Sequence, residues 1–338
     1  MFWADEPISL QDLDFGKEQI DKLNDLNNYI FYGPSGSGRH TRVRALLVKW
    51  LGDHVLHTKM ETKSIKIGSR TIDVNLLSSN VHTEIIPSDL GNSDRFVMQH
   101  IVKEMASTKS ITDKPKVIVI LDADRLSQAA QHALRRTMEV YINNLRFIFI
   151  VENIGKFISP LISRCASIRM AAPNTAVIKT ICNRLCKLHQ ITISDDILTD
   201  LITRNRRNLR QILLDLETAH ILQNSHIREV DSMTPDYILY DIKNIVNLMI
   251  KEQTPSQMVA IRPILYNLIA KCIPNDQILI ELVEQLTPKL DEPCLKRIYM
   301  EAATTDERCV MGSKSIMHLE AFVAKSMVFI KQSNEMVY

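Results

Sequence analysis

A glycine-rich stretch near the start of the chain has the spacing of a phosphate-binding loop. The segment FYGPSGSGRHTR, residues 31–42, places Gly33 and Gly38 as in the pattern G-x-x-x-x-G-K-[ST]. In that pattern, backbone N–H groups and the start of the following helix face phosphate oxygens. The positions that usually carry the lysine and the magnesium-binding hydroxyl hold Arg39 and His40. Phosphate binding therefore stays open, whereas efficient hydrolysis is not favoured, because arginine does not replace lysine conservatively.

The candidate nucleotide-binding residues form one continuous run through this loop. They are Gly33, Pro34, Ser35, Gly36, Ser37, Gly38, Arg39, His40 and Thr41. Thr41 has a hydroxyl but comes one residue late, which is roughly 100° further round a helix. The loop could hold ATP or ADP, and magnesium binding there is left open.

An acidic pair follows an apolar run that resembles a buried strand. KVIVIL, residues 116–121, leads directly into Asp122 and Asp124. A nucleotide-hydrolysing enzyme needs one carboxylate for magnesium and another to polarise water. The same two residues could simply end the strand and cap the next helix, and both interpretations stay open.

The elements that must position these side chains alternate between strand and helix. NYIFY precedes the glycine loop, and after it Val43, Leu46, Leu47, Trp50 and Leu51 share one helix face. TIDVNLL, HTEII, KVIVIL, RFIFIV and SIRM are predicted strands, and AAQHALRRTMEVYI between two of them is a predicted helix. This alternation predicts an α/β fold with a parallel sheet.

Beyond residue 172 the strand patterns stop and only helical patterns remain. We predict a nucleotide-binding-like domain over residues 1–172, a small helical domain over 173–230 and a larger helical domain over 237–338. Pro263 is predicted to begin or kink its helix.

Bulk composition excludes several classes of protein. The 338 residues carry a net charge of +2, so any DNA contact must come from a local patch. Six cysteines include no CxxC pair, which argues against a zinc ribbon or a disulfide framework, and no metal site is predicted. The first residues lack a signal-peptide pattern, and no apolar run is long enough to span a membrane.

The chain resembles the small subunits of replication factor C, the clamp loaders of the AAA+ superfamily. The stretches that carry the resemblance are HTEIIPSDLGNSDRFVMQ, AAQHALRRTMEVY, SPLISRCASIR, NLRQILL, RPILYNLIAKCIP and MHLEAFVAKSM. They extend over residues 30–328, and the best match is the subunit at the end of the arc, whose own nucleotide site is degenerate. The resemblance implies a P-loop core, a helical lid and an all-α collar for oligomerisation.

The resemblance also implies a role for particular positions. Leu121 stands where the family has the magnesium aspartate, and Asp122 where it has the catalytic glutamate. Glu152 takes the sensor-1 asparagine position, Arg210 is an intact sensor 2, and Arg164 in the SRC triplet is an intact arginine finger that acts in trans.

The N-terminal nucleotide segment departs from the family. The family motif W-V-D-K-Y-R-P is reduced here to residues 3–7, WADEP, without the Lys, Tyr and Arg. This departure puts recognition of the adenine base in doubt.

The resemblance further implies partners. They are the other replication factor C subunits, the PCNA sliding clamp and the phosphate backbone of primer–template DNA, with no membrane and a nuclear location. Arg95 and Lys103 are candidate DNA contacts, although a solvated helix face explains them equally well. Met138 and Tyr141 either face the clamp or belong to the core.

Two functional hypotheses follow. In the first, the chain is a scaffold subunit with little or no ATPase activity, which closes the arc and donates Arg164 to a neighbouring ATP site. In the second, it is an active ATPase that uses Arg39 in place of lysine and Asp122 as the base.

Overall fold

The computed structural model describes residues 7–67, 70–87, 93–107, 114–223, 237–312 and 314–336. The chain forms two compact units, Met1–Met233 and Thr234–Tyr338. The first is a sheet covered by helices and followed by three further helices, and the second is helical throughout its described residues. No helix among the described residues has both the length and the apolar character needed to cross a membrane.

The described residues of the first unit contain a seven-stranded sheet. Its strands are β1 (Tyr29–Tyr32), β2 (Lys59–Ile67), β3 (Arg70–Ser78), β4 (His82–Ile85), β5 (Lys116–Ile120), β6 (Leu145–Val151) and β7 (Ala166–Arg169). The spatial order is β2-β3-β4-β5-β6-β1-β7. The five strands from β4 to β7 in this order are parallel, as predicted, and β2 and β3 extend the sheet as an antiparallel edge.

The central strands are almost entirely apolar because both faces of the sheet are covered. Along β5, Ile118 and Ile120 belong to the core on one face, and Val117 and Val119 to the core on the other. The same alternation continues in β6 and β1. These strands hold the loops at their carboxyl ends on a rigid base.

Eight helices are described in the first unit. They are α1 (Lys17–Asp21), α2 (Arg39–Leu51), α3 (Asp94–Ser107), α4 (Gln128–Val140), α5 (Ser159–Ile162), α6 (Thr175–Leu188), α7 (Asp195–Arg204) and α8 (Leu209–Gln223). The predicted apolar face of α2 is buried against one face of the sheet, as the 3.6-residue spacing indicated. Helices α3 and α4 contribute to the core on the opposite face.

Helices α6, α7 and α8 have a small apolar core of their own. Cys182 and Cys186 are buried in it, and burial raises the pKa of the Cys182 thiol to about 12. These cysteines therefore pack as apolar side chains.

The second unit consists of five described helices. They are α9 (Tyr237–Lys251), α10 (Pro255–Ala270), α11 (Asn275–Leu286), α12 (Glu292–Met311) and α13 (Ser315–Met336). Pro255 occupies the first turn of α10, where a missing N–H costs nothing, and Pro263 lies inside the helix. Of the two alternatives predicted for Pro263, that it begins its helix is wrong, and that it kinks the helix stays a prediction.

Two local features differ from the sequence patterns. The nine-residue strand β2 was not predicted, because only Ile65 among its described side chains is buried, so its polarity resembles a loop. Helix α4 ends at Val140, so Ile142, the last residue of the predicted helix, lies outside it and is 54% exposed. The chain turns at Tyr141 to enter β6, which takes Ile142 off the helix.

Candidate nucleotide and arginine-donor sites

The glycine loop lies between β1 and α2, the position that a phosphate-binding loop requires. Gly36 and Gly38 have left-handed φ angles of 70° and 72°. A β-carbon on Gly36 would lie 1.8 Å from Asn208 Oδ1, so the loop backbone closely approaches the start of α8. The peptide N–H of Ser37 donates to the Pro34 carbonyl at 3.3 Å, which closes a turn inside the loop.

Arg39, at the position of the usual lysine, is engaged within the protein. Its side chain is only 8% exposed, and its Nη2 lies 3.0 Å from Glu152 Oε1. Glu152 follows the last residue of β6 and is half exposed. Within the described residues, the buried Nη1 of Arg39 has no hydrogen-bond partner. The carboxylate at the sensor-1 position thus neutralises much of the charge that a phosphate would use.

His40 contacts a buried carboxylate. Its Nε2 lies 3.1 Å from Glu84 Oε2, and His82 Nε2 lies 3.7 Å from Glu84 Oε1. Ser79 Oγ extends this series of polar contacts and lies 2.6 Å from His82 Nδ1. Burial alone would raise the pKa of Glu84, but the hydrogen bonds from His40 and His82 outweigh burial and hold it at about 2.

A cavity of about 250 Å³ lies between the glycine loop, residues 7–15 and the helices α6 and α8. Its apolar wall consists of Leu13, Phe15, Ile181, Leu185, Leu209 and Leu213. Thr41 and Arg210 also line it, so the predicted sensor-2 arginine is placed at the cavity. Of the N-terminal segment in question, Pro7 lines the cavity, and residues 3–6 lie outside the described residues.

The N-terminal segment contacts helix α6 beside this cavity. Arg184 on α6 donates two hydrogen bonds to the Asp14 carboxylate, at 2.7 and 2.8 Å. Phe15 stacks on Arg42, with 4.7 Å between the guanidinium carbon and the ring centroid. Arg42 is buried and donates to the Ser37 carbonyl, and burial lowers its pKa to about 10.

The acidic pair that follows β5 is split between two environments. Asp122 is exposed and has a left-handed φ of 45°. Asp124 is largely buried, and its Oδ2 lies 3.7 Å from Lys156 Nζ. Leu121 is half-buried against the core. Asp124 is therefore paired inside the protein, whereas Asp122 faces solvent.

Asn153, next to Glu152, also makes a contact within the chain. Asn153, one residue beyond the sensor-1 position, accepts a hydrogen bond from the Gly155 N–H at 2.8 Å and caps a short turn.

The candidate DNA contacts Arg95 and Lys103 both lie exposed on α3. Met138 is buried and Tyr141 is partly buried against the same core, which favours the core alternative for both.

Arg164 is held at the surface of the first unit by a defined set of contacts. Its Nε lies 2.8 Å from Glu139 Oε1, its Nη2 contacts the same oxygen, and its Nη1 donates to the Pro160 carbonyl at 2.7 Å. A weaker contact of 3.5 Å joins Nη1 to Ser163 Oγ. The side chain remains 31% exposed. A guanidinium has five N–H donors, and these four contacts leave one for a phosphate outside the chain.

Four site residues were not found by the sequence analysis. Asp14 and Phe15 belong to no motif, Glu84 lies in a stretch that carries the family resemblance but was given no role, and Glu139 lies in a helix whose pattern predicts only packing. Glu139 comes four residues after Arg135, which is the spacing of an ion pair along a helix, and this spacing could have identified it. In the structure Arg135 Nε lies 3.9 Å from Glu139 Oε1.

The residues at the cavity fit an adenosine phosphate better than they fit a magnesium complex. The apolar wall suits a base, and the glycine loop with the unpartnered Arg39 Nη1 suits phosphate oxygens. The positions that normally bind magnesium hold Leu121 and a histidine bound to Glu84. A nucleotide in the cavity would meet Arg210 and the backbone of the glycine loop, both of which line it.

The sheet order, the glycine loop after β1 and the helical lid define an AAA+ nucleotide-binding fold. A RuvB variant from Thermotoga maritima shares this fold, with a TM-score of 0.50 at 15% identity over 84% of this chain and 91% of that one. At this level of identity the likeness concerns the fold alone.

The chain belongs to the family of replication factor C small subunits. It is 36% identical to replication factor C subunit 5 of Schizosaccharomyces pombe over 96% of this chain and 95% of that protein. It is 34% identical to replication factor C subunit 3 of Homo sapiens over 98% of this chain and 97% of that protein. Residues 239–334 match the family described as replication factor C subunit 3, C-terminal domain.

Proposed function

We propose that this protein is a small subunit of a heteropentameric clamp loader that opens the PCNA sliding clamp and loads it onto primer–template DNA. Its relatives in fungi and mammals are replication factor C subunits that it matches over nearly their whole length. In this proposal it acts in the nucleus, in replication and in DNA repair, and assembles with the other subunits through its helical residues 237–338.

The subunit contributes an arginine rather than a catalytic site of its own. The observation that carries this proposal is that Arg164 is partly exposed and held by Glu139, while Arg39 and His40 of the glycine loop are both paired with carboxylates of the chain. An arginine that reaches a neighbouring nucleotide stabilises the charge that develops on the transferred phosphoryl group. Arg164 would supply this charge to the ATP site of an adjacent subunit.

Little or no hydrolysis is expected at the subunit's own site. Glu152 competes with a γ-phosphate for Arg39, and Glu84 holds His40 where a metal-binding hydroxyl is usual. The exposed Asp122 could act on a water only if the nucleotide were correctly placed, which these pairs oppose. The cavity still accommodates ADP or ATP, so a nucleotide could bind without turnover.

The alternative of an active ATPase is favoured only by the cavity and by the free Nη1 of Arg39. The two functions make opposite predictions for magnesium. We expect the full chain to bind a fluorescent ADP with an affinity that changes less than about threefold when EDTA replaces magnesium, because no side chain at the metal position is a carboxylate or hydroxyl. Fluorescence titration measures this change.

The same experiment includes a control and a decisive variant. Arg210→Ala should weaken nucleotide binding, because Arg210 lines the cavity, whereas the exposed Arg204 on α7 provides a matched substitution that should not. In the assembled complex, Asp122→Asn should leave ATP turnover unchanged. Magnesium-dependent binding together with lost turnover in Asp122→Asn would favour the active ATPase.

Glu139 should act as a positioning residue for Arg164. Substituting Glu139→Gln removes the charge on the oxygen that accepts from Nε and Nη2. We expect turnover at the neighbouring site to fall by up to about fivefold, because exposed ion pairs contribute about 1 kcal/mol or less. Adding Glu139→Gln to Arg164→Ala should cause no further loss, and an additive loss would show that Glu139 acts independently of the arginine.

A further inference from the structure

Helix α3 presents a solvent-facing stripe that its packing does not explain. Phe96 is 53% exposed on this face, and His100 and Lys103 lie along the same line at spacings of four and three residues. Seven residues advance a helix by about two turns, or about 10.5 Å. Phe96 and Lys103 therefore stand one above the other on the surface, with His100 between them.

The charge on this face is positive on balance. Arg95 and Lys103 are exposed, whereas one of the two acids of α3 is buried and the other, 41% exposed, is paired with a lysine. Asp94 is buried and accepts hydrogen bonds from the N–H and hydroxyl of Ser127, at 2.7 and 2.9 Å. Glu104 lies 2.6 Å from Lys63 on β2 and is neutralised by it. The exposed stripe is therefore cationic around a single aromatic ring.

The helix that carries the stripe is firmly attached to the core. Its opposite side consists of Val97, Met98, Ile101, Val102 and Ala106, all buried against the sheet. The guanidinium carbon of Arg95 lies 5.8 Å from the centroid of the Phe96 ring, so the cation borders the aromatic face. An exposed ring on a rigid, cationic support loses little conformational entropy when a flat ligand stacks on it.

We propose that this face of α3 binds single-stranded DNA, with an unpaired base stacked on Phe96 and the flanking phosphates bound by Arg95 and Lys103. Base stacking on an aromatic side chain beside cations that follow the backbone is the general means of holding a single strand without reading its sequence. The proposal rests on the proposed function for the identity of its ligand. It goes further by assigning a base contact to Phe96, where Arg95 and Lys103 alone would contact only phosphates.

Two other occupants are less consistent with these residues. A protein partner would be expected to cover several adjacent apolar side chains, whereas Phe96 is the only large apolar residue on the described exposed face of α3. In a duplex the base faces are stacked on one another, so a duplex could use Arg95 and Lys103 but would offer no base face to Phe96. Stacking on Phe96 therefore distinguishes a single strand from a duplex.

The test measures DNA binding by the assembled complex containing Phe96→Ala. We expect affinity for a thymine oligonucleotide and for a primer–template with a single-stranded overhang to fall at least about fivefold by fluorescence anisotropy. Affinity for a blunt duplex should stay unchanged. Arg95→Ala and Lys103→Ala should weaken binding to all three probes and should each lower the salt dependence by about one phosphate contact.

A direct readout and two controls accompany these titrations. A 2-aminopurine base in the overhang should change its fluorescence on binding the wild-type complex and Phe96→Tyr, but not Phe96→Ala. Leu188→Ala, at an apolar side chain on α6 that is 62% exposed, should leave every signal unchanged. Since Phe96 is half exposed, Phe96→Ala should unfold at the temperature of the wild type.

Three results would overturn the inference. These are equal affinities of Phe96→Ala and the wild type for the overhang, an equal loss on the blunt duplex, and failure of Phe96→Ala to assemble with the other subunits. A wild-type complex that binds no DNA would instead contradict the proposed function.

Discussion

Replacing Arg164 with alanine is expected to slow ATP hydrolysis at the neighbouring site of the assembled clamp loader by about 10²–10³-fold, the usual cost of removing one preorganised charge donor. Arg164 is suited to this role because Glu139 and the Pro160 carbonyl fix its guanidinium while leaving it partly exposed. In the first turnover, with clamp and DNA present, the amount of phosphate released should fall by one equivalent per complex.

A matched substitution separates this effect from general damage. Arg204→Ala removes an exposed arginine from α7 and should leave the first-turnover amplitude intact. Arg164→Lys should restore little activity, because a lysine cannot reproduce the planar donor set of arginine. A complex containing Arg164→Ala that hydrolyses ATP with the wild-type amplitude and rate would contradict the proposed donor role.

Replacing Glu84 with glutamine should lower the free energy of unfolding of the first unit by about 3 kcal/mol at neutral pH. The pKa of Glu84 is lowered from its ordinary value of 4.5 to about 2 by its two histidine partners, against the effect of burial. A shift of one pKa unit corresponds to about 1.4 kcal/mol. The variant would leave His82, only 1% exposed, beside a neutral amide in place of a carboxylate.

The pH dependence of this loss has a definite sign. Because the folded pKa lies below the unfolded value, the stabilisation is fully present above pH 4.5 and is lost as the pH falls towards 2. The difference in the free energy of unfolding between the wild type and Glu84→Gln, measured in urea, should therefore become smaller as the pH falls over this range. Glu61→Gln, at an exposed position on β2, should cost less than about 0.5 kcal/mol. A difference that stays constant from pH 7 to pH 3 would be inconsistent with this assignment.

Most of the architecture could be predicted from the sequence because its signals are local and periodic. The apolar runs of β5 and β6 and the spacing of Leu46, Leu47 and Trp50 correspond to elements whose buried sides follow directly from that spacing. The glycine loop was identified because Gly36 and Gly38 allow backbone angles that other residues rarely adopt. Strand β2 was not predicted because it is an edge strand with few buried side chains, so its sequence lacks the apolar pattern of the central strands.

The partners of the site residues could only come from the tertiary structure. Arg39 and Glu152 are 113 residues apart in the chain, and His40 and Glu84 are 44 apart. No local pattern selects such pairs, since any of the 39 acidic residues could have met either side chain. The sequence determined that the glycine loop lacks its usual lysine and hydroxyl. Folding decided that the carboxylates of Glu84 on β4 and Glu152 after β6, two strands separated by β5, pair with the replacements, because parallel strands bring their carboxyl ends to one edge of the sheet.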